Sequence, residues 1–260
     1  MSNTLLRGEL LKDIPGTDYF HTHQADLSTL KTNKIVTHNS DYPVSYALKR
    51  LDNAEIFESN ENLLWFSQNV DVDHPRIFPI PIGFENSEWF PGLKKTDVLM
   101  HSRRDKTILC SAMFNPRTYP DRYKWLTHFQ EQSFCFTKNC TNGQAFEEYA
   151  QKLSASWFSI CPRGNGIDTH RIWECWLCGT IPVVENCINI EKLVEQMTVM
   201  RSGIKCYALP IMLVERLEFF KLEDILVAIE QHRNLIQEFI SAPTPQELTA
   251  KYWIDFISNK

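Results

Sequence analysis

The apolar positions of this chain fall in short runs, separated by polar stretches in which apolar residues recur at helical spacing. Runs at Asp18–Thr22, Lys34–His38, Glu55–Glu58 and Arg76–Ile80 predict strands, with a helix at Val44–Leu51 between the second and third. Lys94–Lys106 is charged and poor in apolar residues, and reads as a linker or surface crossing. Alternation then resumes, with strands predicted at Thr107–Ala112, Phe134–Thr137, Trp157–Cys161 and Thr180–Glu185 and helices at Phe146–Ala155 and Thr169–Cys178. Strands alternating with helices favour parallel βαβ units, because a parallel connection has to cross back over the sheet. Two α/β units follow, over residues 1–100 and 101–243. Thr244-Pro245-Gln246-Glu247 is a capping box with proline at the first helical position, so a last helix is expected over 244–258. Its apolar face, Leu248, Tyr252, Trp253, Phe256 and Ile257, has to pack on one of the units.

Composition narrows the class. The 260 residues are 43% hydrophobic and 23% charged, enough for a full core. No apolar run approaches the ~20 residues that cross a bilayer, and the first residues lack the apolar stretch of a secretory signal, so a soluble cytoplasmic protein is expected. A net charge of −5 leaves no global basic field for a phosphate backbone, which argues against nucleic acid as a partner. Of eight cysteines, Cys110, Cys135, Cys161, Cys175, Cys178 and Cys206 sit in apolar or strand-like stretches and read as small buried hydrophobes. Cys175-x-x-Cys178 falls in mid-helix and lacks the second pair of a zinc site.

Glycine is scarce, 9 in 260, about half the usual ~7%. Yet Gly164, Gly166 and Gly179 lie close together in WFSICPRGNGIDTHRIWECWLCGTIPVVEN, Trp157–Asn186. The order is buried strand, polar glycine loop, helix capped by Asp168 or Thr169 and closed at Gly179, then a second strand. In open α/β sheets ligands bind beyond the carboxyl ends of strands, and a helix start there offers unpaired N–H groups and a positive dipole end. Gly164 and Gly166 would admit a phosphate close to the backbone, and Arg163 and Arg171 would add charged forks. Glu174, a carboxylate among tryptophans, would be explained by holding the vicinal hydroxyls of a ribose. A plainer reading fits the same spacing: Arg163 pairs with Asp168 and Glu174 with Arg171, on a salt-bridged surface helix.

The run CPRGNGIDTHRIWECWLCGTIPVV resembles the signature of exostosin-like glycosyltransferases, glycosyltransferase family 47. Ile77–Gly83 (IFPIPIG) and Cys206–Leu222 resemble flanking segments of that family more weakly. The resemblance implies a GT-B architecture, two Rossmann-like domains with parallel sheets facing across a cleft, with the donor on the second. It implies an inverting glycosyltransferase that moves a sugar from a nucleoside-diphosphate sugar to an acceptor hydroxyl of a glycan or glycoconjugate. The family needs no cofactor and typically no metal, and uridine diphosphate is its default nucleotide, with guanosine diphosphate as the other option. Carried over by position, Arg163, Gly164, Asn165, Gly166, Asp168, Thr169, His170 and Arg171 would surround the donor, and Glu174 would hold ribose. One or both of Arg117 and Arg122, after the first strand of the second unit, would clamp the diphosphate from the other side; the plainer reading is a solvated arginine at a helix start.

Inverting transfer needs a base for the acceptor proton. Asp41, at a strand end beside His38, is the first candidate and Glu58 its rival. Glu85 and Trp89 join His38 on the acceptor side, with Trp89 as a sugar platform. His21 and His23, spaced i, i+2 with no third ligand at metal spacing, line the acceptor cleft or sit on the surface. A soluble transferase of this size suits a microbe or a virus acting in its host's cytosol. A non-catalytic module that holds nucleotide sugar or glycan remains the alternative. A nucleotide hydrolase is disfavoured, since the chain has neither a P-loop nor a cluster of metal-binding carboxylates.

Overall fold

The computed structural model describes residues 4–50, 55–88, 95–102, 105–140, 146–201, 204–241 and 244–260. In the first part, β1 (Asp18–His21), β2 (Lys34–His38), β3 (Leu64–Ser67) and β4 (Ile77–Pro79) form a parallel sheet in chain order, with α1 (Val44–Arg50) and α2 (Ile56–Ser59) between β2 and β3. After α3 (Lys95–His101) the second sheet begins with β5 (Ile108–Phe114), followed by α4 (Asp121–Gln130), β6 (Cys135–Asn139), α5 (Phe146–Ser154), β7 (Ser156–Ile160), α6 (His170–Leu177), β8 (Ile181–Glu185) and α7 (Ile188–Gln196). β9 (Thr198–Arg201) and β10 (Ile204–Tyr207) pair antiparallel, then β11 (Met212–Val214) joins the sheet, and α8 (Leu222–Ser241) and α9 (Ala250–Asn259) close the chain. This sheet is parallel throughout, in the order β6-β5-β7-β8-β11. The two parallel sheets with their helices make a mixed α/β fold of two Rossmann-like units.

Two expectations are corrected. Of Glu55–Glu58, Glu55 is the N-cap of helix α2 and the rest belong to that helix, and the third strand of the first sheet is Leu64–Ser67 instead. Short apolar runs do not distinguish strand from helix; here Trp65 and Phe66 fill both faces of a central strand, while Phe57 alone of its segment is buried. Lys94–Lys106 is no mere linker either. It contains α3, which buries Thr96 and Leu99.

The units share a core. One apolar cluster takes in Val36, Phe66, Ile80 and Phe84 from the first and Met113, Leu153, Trp173 and Trp176 from the second. Helix α6 contributes five residues to it, Ile172, Trp173, Cys175, Trp176 and Leu177, all buried, while His170, Arg171 and Glu174 are half-buried. Each buried indole finds an acceptor: Trp176 Nε1 donates to Pro210 O and Trp253 Nε1 to Glu247 O, as burial of an N–H requires.

Helix α9 packs on the first sheet. Phe256 meets Phe66 and Phe78 edge-on, and Lys34 Nζ donates to the last-turn carbonyls of Ile257 and Ser258, a favourable place for a cation. Its cap is Thr249, whose side chain accepts from Tyr252 N, not the Thr244 box, which leads into a 3-10 turn at Gln246–Leu248. Trp253→Ala is expected to cost about 3–5 kcal/mol, measured by urea unfolding, with one cooperative transition lost from both units together.

Candidate active site

In the second sheet the winding reverses between β5 and β7, and ligands of such sheets bind where the loops after those two strands diverge. Here the loops are 115–120 and 161–169. Arg122, in the first turn of α4, ties them together. Its Nε donates to Arg163 O at 2.7 Å, Nη2 to Pro162 O at 2.8 Å, and Nη1 to Thr118 Oγ1 at 2.7 Å and Asn115 O at 3.2 Å. All these acceptors are neutral, so this buried guanidinium keeps its charge uncompensated by any of them. Burial, then the neighbouring Arg171, pull its pKa down to about 10, which still leaves it cationic at neutral pH. A cavity of about 350 Å³ opens beside it, between the carboxyl ends of both sheets. The first unit contributes Asn39, Ser40, Asp41, Gln68, Phe84 and Asn86 to its wall, the second Thr118, Arg122, Gly164–Gly166 and Asp168–His170.

The glycine loop is held from across the cleft. Asn69, in left-handed conformation at the end of β3 (φ 57°), accepts from Ile167 N at 2.8 Å and Asp168 N at 2.9 Å through Oδ1 and donates to Ser40 O through Nδ2. A Cβ on Gly166 would stand 2.9 Å from Asn69 Nδ2, so glycine is required here to let this side chain approach. Asp168 answers in the other direction: its carboxylate accepts from Ile82 N at 2.7 Å and from Trp173 Nε1. His170 Nδ1 lies 2.7 Å from Gly83 O, so this nitrogen carries the proton. The amides of Ile167 and Asp168 are therefore spent on Asn69. Those left for an anion are at the start of α6, where the first N–H groups have no acceptor within the helix. Thr169 Oγ1, buried on the cavity wall, has no hydrogen-bond partner among the described residues.

Neither salt bridge of the plainer reading forms among the described residues. Glu174 accepts the Tyr149 hydroxyl at 2.6 Å, and Arg171 Nη1 donates to the same hydroxyl at 2.9 Å. Burial would pull the Arg171 guanidinium down, but Tyr149 and Glu174 outweigh it and hold it above its ordinary value. Arg163 lies half-exposed over the Tyr119 ring and donates to Asn165 O. Arg117 is exposed on the turn before α4. Asn165 is exposed at the cavity rim, and so is Asp41, without a hydrogen-bond partner among the described residues.

On the acceptor side, His38 is fully buried rather than facing the cavity. Its Nε2 donates to Pro81 O and its Nδ1 accepts from Asn39 N. Burial pulls its pKa down to about 4, so it is neutral. Glu58 sits exposed on α2 at the amino end of the sheet, so no strand end aims it at the cleft. Glu85 pairs with Lys95 outside the cavity wall, and Trp89 lies outside the described residues. Sequence reasoning missed Asn39, Gln68, Asn69 and Asn86. The signal was there in part: Asn39 and Asn69 each follow a first-sheet strand, and asparagine tolerates the left-handed conformation both adopt.

Among the described residues, no group of three His, Cys, Asp or Glu side chains is placed to hold a metal, and no helix is long and apolar enough to cross a membrane. Residues 89–238, more than half of the chain, match the family model described as the RXYLT1 C-terminal domain. No curated protein matches the chain.

Two buried groups set opposite pH dependences. Desolvation raises Asp168 from 3.8 to about 6, so the native state holds its proton longer and stability falls as pH rises from 4 to 6. His38, lowered from 6.5 to about 4, is protonated in the unfolded chain first, so it contributes stability that is lost as pH falls through the same window. In urea titrations Asp168→Asn is expected to steepen the loss of stability towards pH 4. His38→Gln is expected to flatten or reverse it.

Proposed function

This chain belongs to the RXYLT1 C-terminal domain family and is glycosyltransferase-related, and from that premise we propose that it is an inverting glycosyltransferase of GT-B type. It moves a sugar from a nucleoside-diphosphate sugar, uridine diphosphate by default and guanosine diphosphate otherwise, to a hydroxyl of a glycan or glycoconjugate. The observation that carries this reading is the buried Arg122 guanidinium at the switch point, which meets no carboxylate among the described residues, on the wall of a cavity shared by both units. The acceptor oxygen attacks the anomeric carbon from the first unit's side while the bond to the diphosphate oxygen breaks and its electron pair leaves with the diphosphate. Charge developing on that oxygen is met by Arg122 and the first amides of α6, dipoles already in place before the reaction. Arg163 adds a cation at the outer side of the loop, and Arg171 with Glu174 and Tyr149 forms the base of the nucleotide end. Asp41 takes the acceptor proton. No metal or cofactor is assigned a part.

A second reading, a module that holds nucleotide sugar or glycan without turnover, is favoured by one observation: no described side chain orients Asp41. Slow hydrolysis of donor in the absence of acceptor separates the two, since only the enzyme performs it.

Uridine diphosphate at ~100 times its dissociation constant is expected to add ~2.7 kcal/mol of stability, read as a rise in Tm with or without EDTA. Arg122→Ala is expected to abolish the rise relative to its own unliganded Tm, while the exposed Arg117→Ala keeps most of it. A full rise in Arg122→Ala would remove the phosphate role.

A further inference from the structure

A second cavity lies at the other end of the second sheet. It is a groove of about 980 Å³ over the starts of β5 and β7, flanked by the carboxyl-terminal ends of α5 and α8. Because the strands are parallel, it stands a strand's length from the first cavity, roughly 20 Å for the seven residues of β5. Ile108, Ala155, Trp157 and Ile240 give it an apolar part, and Gln151, Gln237 and Ser241 a polar one. Every other described tryptophan donates its indole N–H: Trp65 to Thr37 Oγ1, Trp125 to Glu218, Trp173 to Asp168, Trp176 to Pro210 O and Trp253 to Glu247 O. Trp157, half-buried on the groove, has no acceptor among the described residues. Nor does the side-chain carboxamide of Gln151 or of Gln237 make a hydrogen bond among them.

We propose that this groove is a carbohydrate-binding site separate from the catalytic cleft, taking a neutral sugar chain and holding the protein on it. The chemistry of the walls selects the occupant. An indole N–H, two carboxamides and the Thr107 and Ser241 hydroxyls supply donors and acceptors without charge, beside apolar carbon. A sugar ring presents the same mixture, hydroxyls on its edge and C–H groups on its faces. An anion would find no surplus of positive charge. Asp105 and Lys152 bring one charge of each sign, and Lys106 Nζ donates to Ser154 O, Cys178 O and Thr180 Oγ1. An extended peptide adds to a sheet edge, whereas β5 and β7 are internal strands. An acyl chain would take the indole N–H and both carboxamides out of water with nothing to bond. No residue of the groove borders the first cavity, so a sugar bound here is held and not transformed. The site therefore stands apart from the transferase reading.

The test presents malto-, cello-, xylo- and chitohexaose to the full chain, read by saturation-transfer nuclear magnetic resonance and, for affinity, by calorimetry. At least one is expected to bind, and saturating uridine diphosphate should not displace it. Gln151→Ala and Gln237→Ala, both at exposed positions, are each expected to weaken binding about three- to tenfold, the range of one hydrogen bond, with Tm unchanged. Trp157→Phe removes the N–H and keeps an aromatic ring, and is expected to weaken binding by a similar factor. All three variants should keep the parent's uridine diphosphate shift. A heparin hexasaccharide, the anionic probe, is expected to bind more weakly than the best neutral hexaose. No binding of any hexaose, displacement by uridine diphosphate, or equal binding by the parent and both glutamine variants would overturn the site. Tighter binding of the heparin fragment would overturn its chemical class. A parent that binds a hexaose through the groove yet ignores every nucleotide would support the site and count against the transferase reading alone.

Discussion

The carboxamide of Asn69 satisfies three backbone groups from two separately wound sheets: the amides of Ile167 and Asp168 in the second unit and the carbonyl of Ser40 in the first. Each would cost roughly 1–3 kcal/mol if buried without a partner, so the glycine loop has little choice of conformation once the units are packed. Gly166 follows from that closeness, and so does the left-handed backbone of Asn69, which aims the side chain across the cleft. Asp168 to Ile82 N and His170 to Gly83 O repeat the arrangement from the opposite side. The walls of the cavity are thus set by bonds between units.

With the walls fixed, the electrostatics become simple. Arg122 and Arg171 are near enough to repel, and both stand at the carboxyl ends of the second sheet, beside a helix that begins there. Arg171 is balanced through Tyr149 and Glu174, whereas Arg122 is surrounded by carbonyl oxygens and a hydroxyl. Carbonyl dipoles hold a guanidinium in place without cancelling its charge. Such a fixed cation in a partly water-excluded cleft suits an anion that gains charge as a bond breaks.

The continuous core explains why α6 carries so many large apolar residues. A helix that only flanked one sheet would need one apolar stripe. This one is gripped from several sides, with Trp173 and Trp176 in the cluster that both sheets share. The same core makes the last helix part of the first unit's packing, although it follows the second in the chain.

What the chain announces by itself is local: parallel strand–helix alternation, the glycine loop between a buried strand and a helix, and Arg122 just after a strand of the second unit. Those features rest on turn chemistry and periodicity, which act within a few residues. The tertiary structure decided what the side chains face. It spent two loop amides on Asn69, turned Glu174 to Tyr149, buried His38, and moved Glu58 from a supposed strand end to an exposed helix. The partners of Ile167 and Asp168 come from 98 and 99 positions away. No pattern of neighbouring residues encodes such a pairing, because the bond exists only after the two sheets have met.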